Sequence, residues 1–223
     1  MSGRTSGVTA TTPSVPGLYV GTSGWSYPTW RPGFYPAGTK PNEFLGSYAE
    51  RLPSVELNST GYRIPAEEQF RRWAEQTPET FRFAVKMQAY QLRQAATFEE
   101  RVRLLGKRLG PIRILVTQAR DEGFLALALG SLDPELLIAF DFRHDSWAGV
   151  ELPANAVRIN DVDASASFRY LRFRDPPYSD KHVRGHADLI RPLVASGIAV
   201  YCYYRHEDEP TAPQYAERLL ELI

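Results

Sequence analysis

Charged and amide side chains stand at the ends of several apolar runs in this chain, and their types and spacing suit chemistry on an anion. In VELN, Glu56 and Asn58 are two residues apart, so an extended strand would turn both to one face. FRFAVK ends on Lys86, PIRILVTQ ends on Gln118, and ELLIAFDF leads into Asp141, Arg143 and His144. Tyr170, Arg172 and Arg174 form one alternating row further on, and Tyr201, Tyr203 and Arg205 form another. An isolated buried charge is costly, so Glu56, Asp141, Lys86, Arg143, Arg172 and Arg205 must neutralise one another or meet a ligand. Cations outnumber carboxylates in that set, and guanidinium forks suit a small carboxylate or phosphate. Glu56, Lys86 and Asp141 are the candidate catalytic groups, with Glu56 as a general acid or base. The plainer alternative is a salt-bridged plug with no chemistry.

Aromatic residues crowd the same region. Trp25, Tyr27, Trp30, Phe34 and Tyr35 lie in a Gly/Pro-rich stretch after the first apolar run, while Tyr62 and Trp147 follow the second and fifth. They would either stack a planar or sugar-like ligand or plug the top of the fold. Metal chemistry has little support. His144 is the one histidine at a strand end, and HVRGH lacks the glutamate of a zinc-protease helix. Cations beside Glu56, Asp141 and His144 would oppose a divalent ion, so no metal site is expected. No GxSxG nucleophile elbow occurs, and Cys202 sits in an apolar run as a structural thiol. No cofactor class follows from the residues.

These side chains need elements to hold them. Strand-like runs alternate with helical patterns: 18–23, 54–60, 81–87, 111–118, 135–142, 155–160, 167–173 and 197–204 read as strands. Helical spacing falls at 41–52, 66–77, 97–109, 123–132, 182–195 and 212–220, with Thr97 and Glu100 set as a capping box. Strand and helix in alternation predict a parallel sheet with right-handed crossovers, and eight units predict an α/β (β/α)₈ TIM barrel. Residues 143–154 and 161–166 are too few for full crossover helices, so the barrel is expected to be abridged around its fifth and sixth units. An open doubly wound sheet is the alternative, but no GxGxxG follows the first strand.

Composition bounds the partners. The chain has 223 residues, 26 Lys+Arg balanced by 26 Asp+Glu, and 43% hydrophobic residues, which argues for a folded core and against a wholly basic nucleic-acid surface. A single cysteine leaves no intramolecular disulfide. The first sixteen residues read as a flexible tail without the apolar run of a signal peptide, and 17–223 as one barrel domain. No stretch reaches the roughly 18–20 apolar residues of a membrane span, so a cytoplasmic location and no membrane partner are expected.

The strings GTSGWSYPTWRPGFYP, VELNSTGYRIP, FRFAVK and FDFRHDSW, in this order, resemble the YecE-like family, domain of unknown function 72. The resemblance is clear from Leu18 to Trp147 and fainter beyond. It implies a TIM barrel and no established activity. The family pattern falls on Gly21, Ser23, Gly24, Trp25, Tyr27, Trp30, Tyr35, Pro36, Glu56, Asn58, Tyr62, Pro65, Lys86, Gln118, Arg143, His144 and Trp147. The chain departs from it at Gly61, where the family tends to an aromatic, and at Asp141, where it tends to Glu. It departs again after Gln118, near Arg174, and at Arg205 and His206. The leading expectation is a barrel that binds or acts on a small anionic or phosphorylated molecule through Trp25, Tyr27, Trp30, Asn58, Tyr62, Gln118, Arg143, His144, Trp147, Arg172 and Arg205. The alternatives are a nucleic-acid-binding barrel stacking bases on Trp25, Trp30 and Tyr62, and a non-catalytic scaffold.

Overall fold

Eight apolar runs become eight parallel strands in the computed structural model, which describes residues 15–223. They are β1 (Leu18–Thr22), β2 (Ser54–Leu57), β3 (Arg82–Gln88), β4 (Leu109–Val116), β5 (Ile138–Phe142), β6 (Ala156–Arg158), β7 (Phe168–Phe173) and β8 (Ala199–Tyr204). The expected N-terminal tail lies, except for its last two residues, outside the described residues. The sheet runs β6-β5-β4-β3-β2-β1-β8-β7 and curls into a nearly closed (β/α)₈ TIM barrel. Around it stand α1 (Phe44–Ala49), α2 (Glu67–Glu75), α3 (Ala95–Arg103), α4 (Glu122–Gly130), α5 (Asp180–Ala195) and α6 (Thr211–Leu222).

Two apolar clusters follow from strand alternation. Outward residues such as Val55, Val85, Ile112, Ile114 and Phe140 meet the helices, whereas Ala84, Ala139, Val157, Phe168, Tyr170, Tyr201 and Tyr203 fill the barrel. The interior is lopsided: β3 and β5 contribute alanines, and β7 and β8 contribute aromatics. Gly21 is required where β1 meets β2, because a Cβ there would lie 1.9 Å from the Ser54 carbonyl oxygen. At the same contact the Tyr48 hydroxyl accepts from the Thr22 amide and donates to the Ser54 carbonyl.

The fifth and sixth units are abridged, as the short spacings require. Residues 143–155 carry only the 3-10 turn Asp145–Trp147, and residues 159–167 carry no helix. Without that covering the ladder stops between β6 and β7, and Asn160 spans the seam. Its amide donates to the Tyr170 carbonyl at 2.9 Å, its Nδ2 donates to the Arg172 carbonyl at 3.2 Å, and its Oδ1 accepts from the Arg172 amide at 2.7 Å. Asn160 holds φ at 61°, a left-handed conformation that asparagine tolerates better than most residues.

Three local expectations change. The strand after Pro53 ends at Leu57, and Asn58 already has the α-type φ of −82° and ψ of −31° that opens the 3-10 turn Ser59–Gly61. Asn58 therefore leaves the row that Glu56 belongs to. β4 likewise ends at Val116, which puts Gln118 beyond the strand and exposed. The Thr97–Glu100 capping box does not form, because the 3-10 helix Ala89–Gln94 runs directly into α3 and leaves no free helix start at Thr97. Gln91 instead accepts from the Gln88 amide at 2.7 Å, one element earlier.

Asn160→Ala removes two seam hydrogen bonds and places alanine in a left-handed conformation, so a loss of about 1–2 kcal/mol is expected in urea unfolding. Asn160→Gly keeps the backbone and should lose less. Faster hydrogen exchange at the Arg172 amide in both variants would locate the effect at the seam.

Candidate functional site

The charged residues of the barrel interior form one continuous network near the C-terminal ends of the strands. Glu56 on β2 is fully buried and binds across the barrel to β7: Tyr170 donates to its Oε2 at 2.5 Å, and Arg172 Nη2 donates to its Oε1 at 2.8 Å. Asp141 on β5 is also fully buried, and Arg174 Nη2 donates to its Oδ2 at 2.7 Å. Arg143 Nε lies 2.8 Å from Asp141 Oδ1 as a charge contact, while its Nη2 donates to Oδ2 at 3.3 Å.

Arg113 on β4 joins the two halves. Its Nε and Nη2 donate to Asp141 Oδ2 at 3.0 and 2.7 Å, and its Nη1 lies 3.2 Å from Glu56 Oε1. The register sets Arg113 beside Lys86 and opposite Ala139, whose small side chain leaves room for the guanidinium. Lys86, also largely buried, has no carboxylate within salt-bridge distance among the described residues; its Nζ lies 5.1 Å from the Tyr62 ring centroid. Its stem occupies the space beside Gly61, where a Cβ would come within 2.8 Å of Lys86 Cδ.

Electrostatics follow from these contacts. Burial alone would raise the Glu56 pKa, but Arg113, Arg172 and the Tyr170 hydroxyl outweigh it and hold the carboxyl below its ordinary range. Asp141 is likewise lowered, by Arg113 and Arg174 against burial. Burial would weaken the Arg113 charge, and the two carboxylates more than restore it. Lys86 goes the other way: burial and Arg113 lower its pKa, only partly opposed by Glu56. Two carboxylates thus face four guanidinium groups and one amine. Among the described residues, the buried atoms Arg172 Nε, Arg174 Nε, Arg113 Nη1 and Asp141 Oδ1 have no hydrogen-bond partner.

The expected site residues separate into groups. Glu56, Lys86, Asp141, Arg143 and Arg172 converge. Arg205 is exposed at the rim, outside the ion pairs. His144 turns back on its own loop, where Nδ1 accepts from the Ser146 amide, so it does not share a metal-like position with Glu56 and Asp141. Among the described residues no three His, Cys, Asp or Glu side chains are grouped to hold an ion.

Trp30 and Trp147 are fully buried, and their indole N–H groups donate to the carbonyls of Glu207 and Gln118. They plug the fold and present no face to a ligand. Gln118 contributes that carbonyl, with its side chain exposed. Trp25, Tyr27 and Asn58 line a separate cleft of about 410 Å³ together with Arg63, Gln69 and Trp73. Tyr27 also stacks on His206 at 4.7 Å, and His206 Nδ1 lies 3.0 Å from Ser23 Oγ. Tyr62 is 75% exposed above Lys86. A cavity of about 470 Å³ opens beside the seam, against Asp141, Arg158, Asn160 and Arg174.

Arg113 and the hydrogen bond from Tyr170 are absent from the expected set. The available signal for Arg113 was a lone charge in the apolar run PIRILV. Counting alternation back from Gln118 selects the wrong face, because Ile112, Ile114 and Val116 point to the helices.

The chain is thus a (β/α)₈ TIM barrel with a cation-rich ion network at its mouth. Residues 19–223 match the family described as "Protein of unknown function DUF72", and the chain belongs to that family. It is 25% identical over 169 residues to the UPF0759 protein YunF of Bacillus subtilis, covering 74% of this chain and 55% of YunF. It is 39% identical over 80 residues to the UPF0759 protein YecE of Escherichia coli K12, covering 35% of this chain and 26% of YecE. The chain thus spans about half the length of YunF and a smaller share of YecE. A crystal structure of a DUF72 family protein from Enterococcus faecalis V583 superposes with a TM-score of 0.76 at 16% identity, covering 92% of this chain and 94% of that one. A second crystal structure of the same protein gives 0.72.

Arg113→Met leaves two buried carboxylates short of their shared cation and should cost about 3–5 kcal/mol at pH 7 by denaturant unfolding. Glu56 and Asp141 have lowered folded pKa values, so their contribution is present above the unfolded values near pH 4 and is lost as pH falls through the folded ones. The deficit of Arg113→Met should therefore shrink as pH falls below the unfolded values near about 4 and close only once pH has fallen through the lowered folded values of the parent.

Proposed function

We propose that the mouth of this barrel binds a small organic anion, a phosphorylated or carboxylate-bearing molecule, between Lys86, Arg143, Arg172 and Arg174. The observation that carries this reading is the imbalance of charge: two buried carboxylates are surrounded by four guanidinium groups and an amine. An anion would offset that surplus and supply acceptors for guanidinium N–H groups that lack them. Glu56 and Asp141 act here as ionised anchors that aim the arginines. Their depressed pKa values and multiple donors make Glu56 a poor proton donor near neutrality.

Nucleic-acid binding is less well supported. Of the three aromatics that would stack bases, Trp30 is buried, and Trp25 stands edge-on to Trp73 at 5.7 Å.

Thermal unfolding with inorganic phosphate, a sugar phosphate, a dicarboxylate and a short oligonucleotide, each at two salt concentrations, tests both readings. A ligand at one hundred times its Kd should stabilise by about 2.7 kcal/mol. Lys86→Met should bind the anion roughly ten-fold more weakly. Its unliganded stability should equal or exceed that of the parent, because a lysine with a lowered folded pKa disfavours the fold below the unfolded value near 10. No shift with any anion would overturn the proposal, and a salt-dependent shift with the oligonucleotide alone would transfer the site to nucleic acid.

A further inference from the structure

Lys86 stands apart from the other four cations of the mouth. Arg113, Arg143, Arg172 and Arg174 each reach a carboxylate oxygen, whereas Lys86 Nζ reaches none and makes no hydrogen bond among the described residues. The groups that face it from the surrounding strands are Arg113 on β4, Arg172 on β7, Glu56 on β2 and Asp141 on β5. Both carboxylates are already committed to arginines. Burial and the two guanidinium groups therefore make the ammonium easier to deprotonate than that of an exposed lysine, and the amine so released is a nucleophile. The residue lies at the C-terminal end of β3, 8% exposed, with its stem laid along Gly61 and its head beneath the exposed ring of Tyr62. Other nucleophiles are less available: the Cys202 thiol is fully buried and its pKa is pushed up, and Ser23 is 1% exposed and bonded to His206.

We propose that Lys86 Nζ forms an imine with the carbonyl carbon of a small anionic aldehyde or ketone, whose charged group rests on Arg143, Arg172 and Arg174. This rests on the anion reading above and names the substrate class within it. Lys86 first releases a proton to solvent. The amine lone pair then adds to the carbonyl carbon, and the carbonyl oxygen takes up a proton. Loss of that oxygen as water leaves a carbon–nitrogen double bond, so one amine and one carbonyl give one imine and one water with no oxidant or reductant consumed. Arginine in place of lysine would keep the charge and lose the reaction, since guanidinium stays protonated.

The test is reduction with borohydride in the presence of dihydroxyacetone phosphate or its uncharged counterpart, dihydroxyacetone, followed by peptide mass mapping. The chain has only three other lysines, Lys40, Lys107 and Lys181, all exposed, and they serve as internal controls. With the phosphate ester at neutral pH, the reduced adduct should accumulate on Lys86 roughly ten-fold above those three, and roughly ten-fold above the Lys86 adduct with dihydroxyacetone. Lys86→Arg should abolish that adduct, with a cooperative thermal transition in the absence of ligand showing that the variant is folded. Equal labelling of Lys86 by both ketones would keep the nucleophile and overturn the anion reading. Labelling of Lys40, Lys107 and Lys181 with none on Lys86 would overturn the nucleophile and leave the anion reading to the thermal-shift experiment.

Discussion

Arg113 lies between two carboxylates that are fully withdrawn from water, and the arrangement of the barrel mouth depends on that bridge. Glu56 and Asp141 stand on β2 and β5, and neither is tolerable there without a cation in contact. By touching both, Arg113 makes the two sites one network. The carboxylates in turn fix the directions of Arg172, Arg174 and Arg143. Apolar residues of similar volume would stabilise a barrel interior as well as such ion pairs do. What the network provides is a set of cations held at defined positions near the open end of the barrel.

The bridge also explains the uneven filling of the interior. Alanines at 84 and 139 on β3 and β5 leave volume that Arg113 and Tyr170 occupy from neighbouring and opposite strands. The abridged fifth and sixth units belong to the same region. With no helix over the seam between β6 and β7, Asn160 supplies with its side chain the hydrogen bonds that a strand ladder would otherwise make. Both of those bonds go to the backbone of Arg172, so the closure of the barrel and the placement of a site cation share one residue. The cavity beside the seam borders Asp141 and Arg174, which gives the network a second exposed side.

Aromatic residues illustrate why loop composition is a poor guide to ligand contact. Trp25, Tyr27 and Trp30 lie within six residues of one another, yet Trp30 is sealed under the loop while Trp25 and Tyr27 line an open cleft. The difference arises from the Glu207 carbonyl, which takes up the Trp30 indole N–H from far along the chain. Trp147 is withdrawn in the same manner by Gln118, and it stacks on Phe142 at 4.2 Å.

Alternation and spacing in the sequence were enough to determine eight parallel strands, the barrel and its abridged half. A two-residue period and crossovers of limited length admit few other solutions. They also placed Glu56, Lys86, Asp141 and Arg172 on inward faces near the strand ends, because each follows a run whose parity is unambiguous. Tertiary structure alone decided which charges pair, since partners such as Glu56 and Arg172 are far apart in the chain and meet only when the sheet curls. It decided where strands stop, which removed Asn58 and Gln118 from the inner rows, because the last ladder bond depends on the neighbouring strand. It brought Arg113 to the centre, where a single charge in an apolar run finds two carboxylates from other strands. It left Lys86 buried without a carboxylate among the described residues, a property of what surrounds the residue and of nothing in its own segment.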